Sequence, residues 1–210
     1  FLVAGVRGQG RRFDVPVALS KAMEIFWRNG YEGASISELT RAMGITVSSL
    51  YAAFGGKRQL FDLVVEHYLG TKGRFMGDAF DEEREALPLI RRLLFEAAEK
   101  YAEASGPGGC FISSAAVCVT EANRDVERKL EDRRISNVKR IEGVVRSSIE
   151  KGDVAASVNA EALAGFVGTV LQGMAQRGRD GASAEDLRTT ADMAYTYVEM
   201  VAHASVPGVV

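Results

Sequence analysis

The chain has 210 residues, 47% of them apolar, and a formal net charge of −2 at neutral pH. That is enough apolar material for a sizeable core, and no stretch approaches the ~20 consecutive apolar residues of a membrane-spanning helix. Two cysteines, Cys110 and Cys118, and two histidines, His67 and His203, make neither a disulfide framework nor a metal-ligand spacing.

The apolar opening "FLVAGV" is cut by Arg7, too short for a signal-peptide core, and is set aside from the fold reading. A cytoplasmic location is expected, and no cofactor is implied. Charge is shared unevenly. Residues 1–66 hold eight Lys/Arg against six Asp/Glu, and the remainder is net acidic. A basic head on an acidic body has the sign expected of a nucleic-acid binder.

Four prolines and little strand-like alternation predict an all-α chain of about nine helices. The first is expected over 15–29, with Pro16 in its first turn, Leu19, Ala22, Ile25 and Phe26 as its buried stripe, and Gly30 closing it. "SISE", Ser35 to Glu38, is a capping box that opens a second helix, with Ile36, Leu39 and Met43 on one face and Gly44 as the turn. Thr46 caps a third, in which Leu50 and Phe54 form an apolar pair. Gly55-Gly56 precedes a fourth, with Leu60, Phe61, Val64 and Tyr68 inward. Longer helices are expected over 82–104, 110–120, 123–151, 159–177 and 183–204, with "GPGG" and "GRDGA" as the clearest breaks.

Helices of about eight residues do not stand alone, because nucleation is costly. The second and third therefore need to pack on the first, which makes a three-helix unit containing a helix-turn-helix. A solvated helix usually carries Lys and Glu, yet Thr46 to Ala53 has no charge. Short side chains let such a helix enter a major groove about 12 Å wide. Ser48 and Ser49 suit base edges or phosphates, and Val47 suits a thymine methyl. Ser35, Tyr51 and Lys57 ring that surface with phosphate-binding groups. The arm "RGQGRR", with Arg11 and Arg12, suits the minor groove.

The segment Ala18 to Phe61 resembles the DNA-binding region of the TetR family of bacterial transcriptional regulators. Ala22, Ile25-Phe26, Gly30-Tyr31, Ser35, Leu39, Ala42, Gly44-Ile45-Thr46, Leu50-Tyr51, Phe54, Lys57 and Leu60-Phe61 all fall in register. Ser48, Ala53 and Thr40 depart from the usual residues. The resemblance implies a homodimer that places two recognition helices on a palindromic operator, acts as a repressor and is released by an effector. It divides the chain into a head of 1–60 and an effector-binding, dimerising body of 61–210.

"NAEALAGFVGTVLQGMAQ" carries three glycines in nine residues, each costing roughly 1 kcal/mol against alanine inside a helix. Close approach of another helix compensates. With the family's four-helix bundle as guide, Gly165, Gly168, Leu171, Met193, Tyr197 and Met200 are assigned to the dimer interface. Phe75, Leu93, Tyr101, Phe111, Ala115, Cys118, Phe166 and Val170 are the expected lining of a pocket for a small hydrophobic or aromatic effector, with Phe80 a further aromatic candidate. Cys110, after a glycine-rich break at a helix start, has the setting of an activated thiol, although plain burial is the commoner role of such a cysteine. Two alternatives stay open at this stage: a helical enzyme, although no catalytic motif is present, and a protein-interaction module.

Overall fold

The computed structural model describes residues 13–104 and 106–203; the arm with Arg11 and Arg12 lies outside them. Ten α-helices and one 3-10 turn, with no strand, make up the secondary structure of the described residues. Helix α1 (Val15–Gly33) starts at Asp14, whose carboxylate accepts from the Val17 amide at 3.0 Å. Its buried side chains are Ala18, Ala22, Met23, Phe26, Trp27 and Tyr31, so Leu19 and Ile25 lie on the flank of the stripe rather than in it. Gly30, at φ 72°, breaks the helix, and one further turn follows.

Helices α2 (Ile36–Met43) and α3 (Val47–Phe54) are joined through Gly44, whose φ of 68° is the left-handed region that favours glycine. Leu39, Leu50, Leu60 and Phe26 have no exposed surface, which supplies what two eight-residue helices lack on their own. Helix α4 (Lys57–Leu69) packs along α1 and leads into the body.

The body differs from expectation at two places. Helix α5 (Arg74–Glu82) falls in a stretch where no helix is expected, with Gly73 before it and Gly77 within it; its Phe75, Ala79 and Phe80 are nevertheless buried. It displaces the next helix, expected from Glu82, to α6 (Ala86–Tyr101). The helix expected over 110–120 shrinks to the single turn α7 (Phe111–Ser114), followed by irregular chain and a 3-10 turn, Glu121–Asn123. Helices α8 (Arg124–Lys151), α9 (Ala160–Arg179) and α10 (Ala184–His203) complete the chain near their expected bounds.

Two clusters of buried residues hold the molecule. In one, α6 lies between α10, α9 and α8, and Leu89, Ile90, Leu93 and Leu94 have no exposed surface. Each such side chain contributes about 1.5–3 kcal/mol through its burial. The other joins the head to Phe111, Ile112, Val126 and Leu130, so it runs through α4 into the segment that links α6 to α8. Among the described residues no helix is long and apolar enough to cross a membrane.

Candidate nucleic-acid interface

The exposed face of α3 carries Val47, Ser48 and Tyr51, with Val47 47% and Tyr51 53% exposed. Large apolar groups at that exposure, without a charged neighbour on the helix, leave a surface suited to contact. Thr46 caps α3, its hydroxyl accepting from the Ser49 amide at 3.1 Å, and its Oγ1 lies 2.9 Å from the hydroxyls of both Ser48 and Ser49. The three hydroxyls therefore form one cluster at the helix start. Ser35 makes the full capping box, its Oγ donating to Glu38 at 2.8 Å and accepting from the Glu38 amide at 3.2 Å. Thr40, where the family usually has a smaller residue, turns its hydroxyl back to the Ile36 carbonyl at 2.9 Å and so sits in the core without an unpaired group.

Lys57 is less free than expected. Its ammonium donates to the Glu32 carbonyl at 3.3 Å and lies 4.6 Å above the Tyr31 ring. Burial lowers its pKa, with Glu32 opposing. These contacts lie within the head, beside its joint with the body. The Tyr31 amide donates to the Ala115 carbonyl at 2.6 Å. Arg58 pairs with Asp125 and donates to Asn123 at 2.6 Å. Arg179, at the end of α9, donates to the Trp27 and Arg28 carbonyls at 2.8 and 3.1 Å.

Glu32 is the most strongly bound carboxylate of this joint. It accepts from the Thr120 amide and hydroxyl, each at 2.7 Å, and from Asn123 at 2.9 Å. The backbone N–H of Thr120 first, then the Asn123 amide and the Thr120 hydroxyl, hold its pKa down from 4.5 to about 2. A depressed carboxylate pKa stabilises the folded state above the unfolded value and ceases to do so as pH falls through the folded one. Wild-type melting temperature is therefore expected to fall faster than that of Glu32→Gln on acidification from about pH 5 to 3. Parallel curves exclude a role for this carboxylate in acid stability.

A cavity of about 260 Å³ lies in the body. Phe75, Leu93 and Tyr101 line it as expected, together with Tyr68, Cys110, Asn137 and Gln172. The other expected lining residues lie elsewhere. Phe111 is fully buried among Trp27, Phe61 and Tyr68 under the head, and Ala115 gives its carbonyl to Tyr31. Cys118 is exposed beyond the shortened α7. Phe166 packs at a tilt against Tyr197 with 5.1 Å between ring centres, and Val170 is half-buried outside the cavity. Phe80 is buried under the Arg140 guanidinium, 4.0 Å from its ring. Cys110 is half-buried, and the Tyr68 hydroxyl donates to its sulfur at 3.4 Å.

The residues assigned to the dimer interface fall on two faces. Met193, Tyr197 and Met200 are 72%, 46% and 61% exposed, and a methyl group at Gly165 meets nothing within 4 Å. Gly168 and Leu171 instead face the cavity, and a methyl at Gly168 meets Val138 at 2.7 Å. The glycine stripe thus serves two purposes: Gly168 admits a neighbouring helix of the same chain, and Gly165 opens outward. Glu32 and Arg179 had no signature in the sequence, since the groups their side chains bond lie 88 or more residues away. No group of three His, Cys, Asp or Glu side chains suited to a metal ion occurs among the described residues.

This arrangement defines a helix-turn-helix protein with an appended helical body. Residues 18–64 match the family described as "Bacterial regulatory proteins, tetR family", and residues 88–193 match "Tetracyclin repressor-like, C-terminal domain". The chain belongs to the TetR family, and it is a transcriptional regulator rather than an enzyme. It is 31% identical to the HTH-type transcriptional repressor BdcR of Escherichia coli (strain K12), over 90% of this chain and 91% of that protein. It is 28% identical to the repressor ComR of the same organism, over 86% of this chain and 87% of ComR. Among solved structures, a cysteine-substituted form of the TetR family regulator CifR with a 26-bp double-strand operator superposes with a TM-score of 0.83. The two are 37% identical, over 90% of this chain and 98% of CifR.

Proposed function

We propose that the chain is a cytoplasmic repressor that binds a palindromic operator as a homodimer and is released by a small apolar or aromatic effector. The observation that carries the reading is the uncharged, exposed face of α3, with its hydroxyl cluster and Val47 and Tyr51 standing outward. In the duplex, Val47, Ser48 and Ser49 meet base edges, while Thr46, Tyr51 and Ser35 serve the phosphates. Lys57 contributes charge near the backbone while steadying the head, and Arg11 and Arg12 add an arm. The named repressors BdcR and ComR and the operator-bound CifR support this reading.

The head of 1–60 is the reading unit, and the body of 61–210 senses and dimerises. The outer faces of α9 and α10, with Gly165, Phe166, Met193, Tyr197 and Met200, form the dimer contact. Exposed methionines and a tyrosine on adjoining helices are an apolar surface of the kind a partner covers. The cavity between Phe75, Leu93 and Tyr101 takes the effector; Asn137, Gln172 and Ser113 offer it hydrogen bonds, and Glu66, Arg133, Arg134 and Arg140 add charge to its lining. Selection of duplex fragments by the purified protein, with molar mass measured alone and on DNA, tests the first part. A twofold-symmetric sequence bound by two chains is the expected result, and a monomer or an absence of enrichment overturns it. A panel of apolar compounds that fails to release the selected DNA overturns the effector reading alone.

A further inference from the structure

We infer that Arg179 is a positioning residue for operator recognition: its two hydrogen bonds to the Trp27 and Arg28 carbonyls set the angle between the head and α9. Because α9 carries part of the proposed dimer contact, that angle sets the separation of two recognition helices. The inference rests on the proposed dimeric, operator-binding reading and deepens it.

The break in α1 creates the acceptor that Arg179 meets. In an unbroken helix the Tyr31 amide donates to the carbonyl four residues back, that of Trp27. Here Gly30 turns the chain, and the Tyr31 amide donates to Ala115 instead. The Trp27 carbonyl is left without that donor at the negative end of a helix segment, where a guanidinium is the favoured partner. Arg179 supplies it at 2.8 Å and reaches Arg28 with its other terminal nitrogen at 3.1 Å. Two donors held in one plane fix a direction as well as a distance.

The base of this strut is closely packed. A methyl group on Gly178 meets the Tyr101 carbonyl at 2.5 Å, and methyl groups on Gly108 and Gly109 meet the Gly178 and Ala175 carbonyls at 2.5 and 2.2 Å. The end of α6, the following turn and the end of α9 therefore touch backbone to backbone, leaving no slack next to Arg179. Tyr101 and Cys110, at either end of that turn, both line the cavity. A displacement there acts on the support of the strut.

Operator geometry makes the inference measurable. Adding one base pair between half-sites moves them about 3.4 Å apart and turns one about 35° around the duplex axis. A dimer with stiff joints cannot follow, whereas one with loose joints can. The duplex selected by the purified full-length chain, and versions with one central base pair added or removed, are titrated with wild type, Arg179→Ala and Arg179→Lys. Melting temperature and the emission of Trp27, the only tryptophan, are recorded for each.

Wild type is expected to weaken by about tenfold or more on either altered spacing, the scale of a lost charge-assisted hydrogen bond. Arg179→Ala is expected to weaken on the selected duplex, to discriminate among the three by less than about threefold, and to show altered Trp27 emission. Lysine, with one ammonium for two carbonyls, is expected to fall between. Wild-type discrimination in folded Arg179→Ala overturns the inference, as does an equal loss on all three duplexes, the mark of a missing positive charge. Should the alanine variant not fold, full wild-type discrimination in Arg179→Lys overturns it. A wild type that selects no duplex removes the operator reading and this inference together, whereas the other failures remove only the inference.

Discussion

Replacing Ser48 by Glu is expected to abolish operator binding while leaving the fold intact or slightly firmer. Ser48 is exposed in the first turn of α3, and its hydroxyl bonds only to that of Thr46, which itself carries the cap. A carboxylate near a helix N-terminus is favourable by about 0.3–1 kcal/mol. The same carboxylate pressed among phosphates meets like charge at short range, worth several kcal/mol. A dimer carries the change twice, so a loss of about a thousandfold or more in affinity is expected at moderate salt, with melting temperature shifted by less than about 3 °C. Two measurements decide the matter: thermal melting and a salt-controlled titration of the selected duplex. Full affinity in the glutamate variant removes α3 from the groove and with it the reading of the site.

The largest expected effect on stability lies at Gly109. Its φ is +71°, and a Cβ there lies 2.2 Å from the Ala175 carbonyl oxygen, a backbone atom of α9 that cannot step aside. Alanine at this position combines left-handed strain of about 1–2 kcal/mol with displacement of one helix from another. A loss of about 3 kcal/mol or more follows, seen as a melting temperature lower by about 6–12 °C for a chain of this size. Gly143 provides the contrast. It is an exposed residue inside α8, and a methyl there meets nothing within 4 Å. Alanine at Gly143 is expected to raise stability by up to about 1 kcal/mol through helix propensity. Equal melting temperatures for the two variants contradict the packing of the glycine turn against α9.

What was legible in the sequence was local. Ser35 with Glu38 forms the cap its spacing announces, because both partners lie within one turn. Gly44 takes the left-handed turn that two adjoining short helices require. The segment after Cys110 shows the opposite case. Its residues suit a helix, but Ala115 and Thr120 are claimed by Tyr31 and Glu32, some 85 residues earlier, and those bonds win over propensity. Helix α5 carries Gly77 in its middle, whose cost the burial of Phe75 and Phe80 outweighs. The division of α9 into an inward face with Gly168 and Leu171 and an outward face with Gly165 needs its neighbours' positions, which no spacing within one helix supplies.

The seat between the two parts of the molecule rests partly on main-chain acceptors: the carbonyls of Trp27, Arg28 and Ala115 take part in it beside the side chains of Glu32 and Arg58. Such acceptors are common to every amino acid, and Arg28 turns its own side chain to water. Substitution along the solvent side of the first helix therefore leaves these anchor points as they are. On the proposed reading, the surface that meets the bases can therefore change while the head keeps these carbonyl anchors to the body.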